Sequence, residues 1–325
     1  MKTILITGIT GQDGLFLSKK FIDTHPDCLI YGISRQRNND TFIANLKKLG
    51  VKNTKNLKLH DINLNNKDEV TKFISTIKPT NVINLAGPSS VYNSFKNPDK
   101  TISEITNIFE NLVNSLVENN NLCNFFQASS SEMFDYKLNE RLDEDSEMKP
   151  NSPYAVGKLQ NHERVIELSE KHNWNITSGI MFNHESEFRN DSYLISKVII
   201  TAQKISKKQA SELIVGSLDY IRDWSFAGDI ADAIFTLNTN NSGQDYVIGS
   251  GLGHTIRELV EIIFKFFELD ISDFIKIDNS LLREGDPISK ISNPKKIFEE
   301  FGWKAETNFE NFVTRCIEKK ISIKY

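Results

Sequence analysis

The sequence predicts an α/β fold, a doubly wound parallel sheet with a smaller C-terminal domain. Three observations carry that expectation. Short apolar runs alternate with longer amphipathic segments through the first half, the rhythm of a parallel sheet covered on both faces by helices. A glycine-rich turn directly follows the first apolar run. After about residue 183 the rhythm loosens into helical patterns separated by polar loops. The 325 residues suit such a division, because single cores stop growing at roughly 250–300 residues.

The strands are expected, in order, at Thr3–Thr7, Leu29–Ile33, Leu57–Leu59, Val82–Leu85, Asn124–Gln127 and Asn175–Met181. Each is a short apolar run bounded by turn residues. Helical periodicity is strongest over Leu15–Ile22, Thr101–Glu118 and Ser152–His172. In the second half it returns over Ser192–Lys207, Thr255–Glu268 and Pro294–Phe301, between loops such as Asn238–Gly243 and Gly249–Gly253. The apolar run Gln244–Ile248 reads as a return to the sheet. The expected domains are therefore residues 1–182, rejoined near 225–250, and a substrate domain formed mainly by 183–325.

Composition narrows the function classes. Hydrophobic residues make up 39% and charged residues 25%, an ordinary globular balance. A net charge of −4 argues against nucleic acid or an anionic membrane as partner, so an anionic ligand must be held by locally placed basic residues. Cys28, Cys123 and Cys316 are odd in number and far apart, and His and Cys never fall at metal-ligand spacing. No disulfide framework and no metal site are expected, and a reducing cytoplasm fits. The apolar start Met1–Gly8 reads as a buried strand instead of a signal peptide, and no run is long enough to span a bilayer.

The first strand enters Gly8-Ile9-Thr10-Gly11-Gln12-Asp13-Gly14, a Gly-x-x-Gly-x-x-Gly turn ahead of an apolar helix. Glycine there lets a pyrophosphate approach the backbone, and the helix N-terminus offers it N–H groups, as in a Rossmann dinucleotide site. The other reading is a plain tight turn. The second strand ends in Ser34-Arg35-Gln36-Arg37, where an NAD enzyme would place Asp or Glu. A guanidinium at Arg35 stacks on adenine and pairs with a 2′-phosphate, which favours NADP; Arg37 reads equally as a solvated residue. Asp61-Ile62 could receive the adenine amino group, or Asp61 could be a solvated strand end. Leu85-Ala86-Gly87 are small enough for the nicotinamide half to lie against the backbone.

Tyr154 and Lys158 stand four apart at the start of a helix, on one face. The lysine ammonium favours the phenolate, so Tyr154 can take a proton from a substrate hydroxyl while hydride leaves the same carbon. Ser130, at the end of the fifth strand, could hydrogen-bond the reacting oxygen. Glu132 suits removal of a carbon-bound proton beside a new carbonyl, with a helix-capping carboxylate as the alternative.

Together these residues resemble the extended short-chain dehydrogenases/reductases, and within them the GDP-mannose 4,6-dehydratases. The resemblance covers nearly the whole chain. Its specific motifs are the 8–14 turn, Ser130-Ser131-Glu132, Ser152-Pro-Tyr-Ala-Val156, Phe182-Asn-His-Glu-Ser186 and Arg222-Asp-Trp224. It implies a GDP-sugar substrate and a held NADP. Tyr154 deprotonates the sugar O4, hydride passes from C4 to NADP, Glu132 removes the C5 proton and assists loss of water from C6, and the hydride returns to C6. Ser130 stands where the family usually has Thr.

By the same resemblance Ser89, Asn183, Lys197, Gly216, Arg222, Arg283 and Glu284 meet the substrate, while His184 and Arg189 approach the cofactor. Each has a plainer reading where the residues alone are considered. Asn183 could cap a turn, and Lys197 could be a solvated helix residue. Arg222 could pair with Asp223 or Asp229, and Arg283-Glu284 could be an exposed ion pair. His184 could be structural. The helices Thr101–Glu118 and Ser152–His172 resemble those that pair in family dimers, so a homodimer is expected. The sequence departs from the family pattern at Gly87-Pro88-Ser89-Ser90-Val91 and at Phe188-Arg189. The first departure opens the sugar to GDP-N-acetylglucosamine or a GDP-heptose beside GDP-mannose. A nucleotide-sugar epimerase or 4-reductase, and a silent dinucleotide-sensing protein, are the competing functions; Glu132 and the intact Tyr154–Lys158 pair argue against them.

Overall fold

The computed structural model describes residues 2–34, 39–136, 140–282 and 285–322. Two compact units emerge. The first comprises Met1–Asp135, Glu144–Met181 and Ile230–Ile248; the second comprises Tyr136–Asp143, Phe182–Asp229 and Gly249–Tyr325.

The first unit is built on a seven-stranded sheet. Its first five strands are β1 (Thr3–Thr7), β2 (Leu29–Ile33), β3 (Leu57–His60), β4 (Asn81–Asn84) and β5 (Asn124–Ser130). Ile176–Met181 and Asp245–Ile248 complete it. The order across the sheet is Asp245–Ile248, Ile176–Met181, β5, β4, β1, β2, β3, and every pairing is parallel. The chain thus winds from β1 through β2 to β3, then returns to place β4 on the other side of β1. That reversal opens a crevice at the carboxyl ends of β1 and β4, where doubly wound sheets bind ligands.

The helices of this unit are α1 (Gln12–Thr24), α2 (Asn39–Lys48), α3 (Lys67–Ile77), α4 (Val91–Ser94), α5 (Pro98–Glu118) and α6 (Pro153–His172), with Ala227–Asn240 beyond them. Their ends follow local chemistry. The Asn66 side chain accepts from the backbone N–H groups of Asp68 and Glu69 at the start of α3, and left-handed Lys78 ends it. The Ser152 hydroxyl accepts from Ala155 N, Pro153 occupies the first turn of α6, and left-handed Asn173 closes it. On one face of the sheet Leu5, Val82, Phe125 and Ile176 pack against Val70 and Ile74 of α3, Phe109 and Leu112 of α5, and Val165 and Leu168 of α6. Each such side chain contributes about 1.5–3 kcal/mol on burial. At the sheet edge, the Glu144 carboxylate accepts from Val247 N at 2.6 Å, so a backbone donor of the last strand is already engaged.

The second unit is irregular. Ile221–Phe226 pairs antiparallel with Gly253–Thr255, and parallel with Ser289–Ser292 and Asn183–Glu185. Arg141–Leu142 pairs with Ser289–Ser292, and Leu213–Val215 pairs with Ile275–Ile277. The helix Ile256–Phe266 begins with a capping box between Thr255 and Glu258. The main-sheet strands fall within three residues of their expected bounds, and Thr3–Thr7 and Leu29–Ile33 coincide with them. The strands of this unit were not legible individually, being mostly two to four residues long and too short for an alternation pattern. A boundary at residue 182 also leaves Tyr136–Asp143 with the first domain. The structure groups it with the second unit, because Arg141–Leu142 joins that sheet and the Arg141 guanidinium donates to Gly251 O at 2.8 Å.

Candidate active site

The turn after β1 is shaped by contacts that exclude side chains. Gly8 has φ +65°, and a Cβ there would lie 3.0 Å from Leu85 C, Leu85 O and Ala86 N. A Cβ on Gly14 would meet Ile9 O at 2.4 Å, so the helix packs close under the strand. Gly11 caps α1, and its carbonyl accepts from Leu15 N at 3.0 Å. Gln12 and Asp13 begin the helix, with Gln12 buried. The Thr10 hydroxyl lies 2.8 Å from that of Ser34, which ties the turn to the end of β2. Gly87 has φ +136° and open space around its Cβ position. Exposed Asp61 and half-buried Ile62 follow β3, and Ser89 is exposed one residue before Ser90 caps α4. Arg35 lies outside the described residues. A bare backbone turn, a helix N-terminus and an adjoining open glycine fit a dinucleotide pyrophosphate.

The second half of the site lies at the start of α6. Half-buried Tyr154 stands one turn before Lys158, whose Nζ is 5.7 Å from the tyrosine ring centroid. Lys158 is buried and donates to Ala128 O at 2.7 Å. Burial pushes its pKa down to about 8, because a low dielectric disfavours the ammonium. Ser130 ends β5, and its hydroxyl accepts from Glu132 N at 3.3 Å, opening the short turn Ser131–Met133 on which α6 packs. One helix and one strand end therefore bring Ser130, Glu132, Tyr154 and Lys158 into a single neighbourhood.

Sequence reasoning missed what lies beneath them. Thr7, Asn84, Gln127, Ser178 and Asp245 are aligned side by side across five neighbouring strands. The Thr7 hydroxyl donates to Asn84 Oδ1 at 2.6 Å, and Asn84 Nδ2 donates to Gln127 Oε1 at 2.8 Å. Gln127 Nε2 donates to Ala128 O at 3.1 Å, the carbonyl that Lys158 also grips. The Thr7 oxygen accepts in turn from Leu85 N and Ala86 N, both at 3.1 Å. Unpaired, such buried groups would each cost about 1–3 kcal/mol. The signal available in the sequence was a polar residue, Thr7, Asn84 or Gln127, at or near the end of an otherwise apolar strand.

The second unit holds the other expected contacts. Asn183 and His184 lie on the strand paired with Trp224 and Ser225, and His184 Nδ1 is 2.8 Å from Phe182 O. Arg189 stacks on Tyr193 at 3.7 Å and pairs with Glu185 at 3.5 Å. Lys197 is exposed in the first turn of Leu194–Ser206. A Cβ on Gly216 would meet Leu282 Cδ2 at 2.9 Å. Arg222 pairs with neither Asp223 nor Asp229. Its Nη2 donates to Asp286 at 3.0 Å and its Nη1 to Pro287 O at 3.0 Å. Asp223 instead accepts from Ser250, Gly251 and Ser292, and Asp229 from Thr307. Arg283 and Glu284 lie outside the described residues. All three cysteines are free, and burial pushes the Cys123 thiol up to about 12, so it is no nucleophile near neutrality. Among the described residues, no acidic, His or Cys cluster could hold a metal, and no helix is long and apolar enough to cross a membrane.

A seven-stranded parallel sheet with a glycine turn after β1 and a Tyr-x-x-x-Lys helix beside β5 defines an extended short-chain dehydrogenase/reductase fold. Solved structures share it, among them the following two. The dTDP-glucose 4,6-dehydratase of Bacillus anthracis in complex with NAD matches at TM-score 0.85 and 18% identity, over 100% of this chain and 98% of that one. RMD from Pseudomonas aeruginosa complexed with NADPH matches at TM-score 0.81 and 20% identity, over 99% of this chain and 100% of that one. The sequence profile of GDP-mannose 4,6 dehydratase matches residues 5–316. The GDP-mannose 4,6 dehydratase of Drosophila melanogaster is 31% identical over 352 residues, covering 99% of this chain and 87% of that protein. The chain belongs to the GDP-mannose 4,6-dehydratase family, whose members are hydro-lyases.

Proposed function

We propose that the chain converts a GDP-linked hexose to its 4-keto-6-deoxy form on a held NADP. The observation that carries this reading is the convergence of Tyr154, Lys158, Ser130 and Glu132 at the end of β5, in a member of a hydro-lyase family. The dinucleotide, when bound, supplies the acceptor for hydride leaving C4 and its donor back to C6. Gly8, Thr10, Gly11, Gln12, Asp13 and Gly14 would hold its pyrophosphate, and Leu85, Ala86 and Gly87 would receive its nicotinamide half. A nicotinamide dinucleotide agrees with the NAD and NADPH of the structural neighbours. The 2′-phosphate is favoured by Ser34 at the end of β2, where a carboxylate would repel it, and by Arg35 in the sequence.

Tyr154 takes the O4 proton, and the Lys158 ammonium lowers the phenol toward the phenolate that this needs. Ser130 donates to the developing O4 carbonyl. The C5 proton, acidified by that carbonyl, passes to Glu132, which gives it to the departing C6 hydroxyl as water; as C6 is reduced, C5 regains one proton, equal to the one Tyr154 took from O4, so that one water is the net loss. By the family resemblance Asn183, Lys197, Gly216, Arg283 and Glu284 are assigned to the GDP portion, and His184 and Arg189 to the cofactor. Arg222 contributes by holding Asp286 and Pro287, just past Arg283 and Glu284 in the chain. The same reading places the chain in the cytoplasm as a homodimer joined through α5 and α6.

The altered segment at Gly87–Ser90 keeps GDP-N-acetylglucosamine and a GDP-heptose beside GDP-mannose as substrates. Incubation with each GDP-sugar, without added cofactor, is expected to remove one water from one of them by mass spectrometry. An isomer without mass change would make the protein an epimerase. Glu132→Gln is expected to cut full turnover on the order of a hundredfold while C4 oxidation persists, read as accumulating reduced-nicotinamide absorbance.

A further inference from the structure

We propose that Gln127 and His162 are positioning residues that hold the catalytic lysine's acceptor strand from two sides; the inference rests on the dehydratase reading above. Lys158 is oriented by the carbonyl of Ala128, so its place depends on how firmly β5 is held at that residue. On one side Gln127 donates to the same carbonyl while its own oxygen accepts from Asn84, which is tied to Thr7. Thr7 accepts from the Leu85 and Ala86 amides, against which the nicotinamide half is placed. A continuous chain of side-chain hydrogen bonds thus links the cofactor crevice to the lysine.

On the other side the tie comes from α6 itself. His162 stands one turn beyond Lys158 on the helix that carries Tyr154. Its Nδ1 is hydrogen-bonded to the Ser178 hydroxyl at 3.1 Å, and Ser178 to the Ser129 hydroxyl at 2.9 Å. Its Nε2 lies 3.5 Å from Asp245. Ser129 is the residue between Ala128 and Ser130. One imidazole therefore binds the helix bearing Tyr154 and Lys158 to the strand bearing Ser130, through a second strand, and reaches a third. His162, Ser178, Ser129 and Gln127 are all buried, so little else can fix these groups. Displacements well under an ångström at the lysine would be enough to slow proton transfer.

The test compares wild type, Gln127→Leu, His162→Leu and His162→Asn, the last keeping an amide near the Nδ1 position. For the substrate that wild type dehydrates, both Leu variants should lower kcat about tenfold with KM and dinucleotide affinity within about twofold, and His162→Asn should recover most of the loss. A second readout needs no substrate. Lysines labelled with 13C at Cε, with Lys158→Met as the assignment control, report the Lys158 titration, which should move toward the ordinary lysine range in both Leu variants. If the Leu variants fold with kcat and titration unchanged, or if His162→Asn does no better than His162→Leu, the inference is overturned. If wild type dehydrates no GDP-sugar but the titration moves as expected, the functional reading fails and the positioning role stands. Should His162→Leu not fold, Ser178→Ala breaks the same tie by one hydroxyl and is read identically.

Discussion

The two units bury polar groups in opposite ways. In the first, the buried row under the site is made of Thr7, Asn84, Gln127 and Ser178, neutral side chains set in register across a regular sheet. In the second, buried carboxylates organise the loops. Asp223 is 1% exposed and takes hydrogen bonds from Ser250, Gly251 and Ser292, while Asp286 faces both Arg222 and Lys290. The difference follows from backbone supply. A parallel sheet satisfies its own amides, so its side chains are left to aim one lysine. The loop at Gly249–Leu252 and the last residue of the short strand Ser289–Ser292 turn their amides to one carboxylate instead.

Lys158→Met is expected to break the first arrangement hardest. It keeps the stem and removes the ammonium, so kcat should fall about a thousandfold with far-UV dichroism unchanged. Asp223→Asn strikes the second. A neutral amide brings N–H groups against N–H groups, and the cost should be about 3 kcal/mol in urea unfolding. Amide exchange should quicken at Ser250, Gly251 and Ser292 and stay slow at Leu5 and Val82; uniform quickening would mean that Asp223 does not act locally.

Titration sharpens the contrast further. Activity should fall roughly tenfold per pH unit above about 8, as Lys158 loses its proton. Stability moves the other way. The unfolded lysine keeps its proton up to about 10.5, so between these values Lys158 contributes stability that grows as pH rises, opposed above about 9 by the buried thiol of Cys123, which the unfolded chain releases as thiolate. The activity slope is read from kcat in wild type, and the lysine's share of the stability slope is read as the difference in the pH dependence of the urea midpoint between wild type and Lys158→Met. The smallest effect belongs to Thr255→Ala, which removes the capping box of Ile256–Phe266 and should cost about 1 kcal/mol of thermal stability.

What was legible in the sequence divides along the same line. The strands of the main sheet could be read because each is an apolar run beside a helix with its own period, and the glycine turn and Tyr154–Lys158 could be read because spacing alone places them. The row beneath could not. Thr7, Asn84 and Gln127 are far apart in the chain, and only sheet register brings them together. In the second unit Asp223 and Asp229 are the acidic neighbours of Arg222 in sequence, whereas Asp286 reaches it from a loop more than sixty residues on. Charge partners across an irregular sheet leave no periodic trace.

The interrupted course of the first unit bears on how the protein is made. Its last strand, Asp245–Ile248, follows a long excursion through the second unit. During synthesis the strand Ile176–Met181 must therefore wait, with an open edge, until about seventy further residues have left the ribosome. Asp245, the outermost partner of His162, comes with that final strand. A chain cut short before it would carry Tyr154, Lys158 and Glu132, yet lack the strand that completes their support.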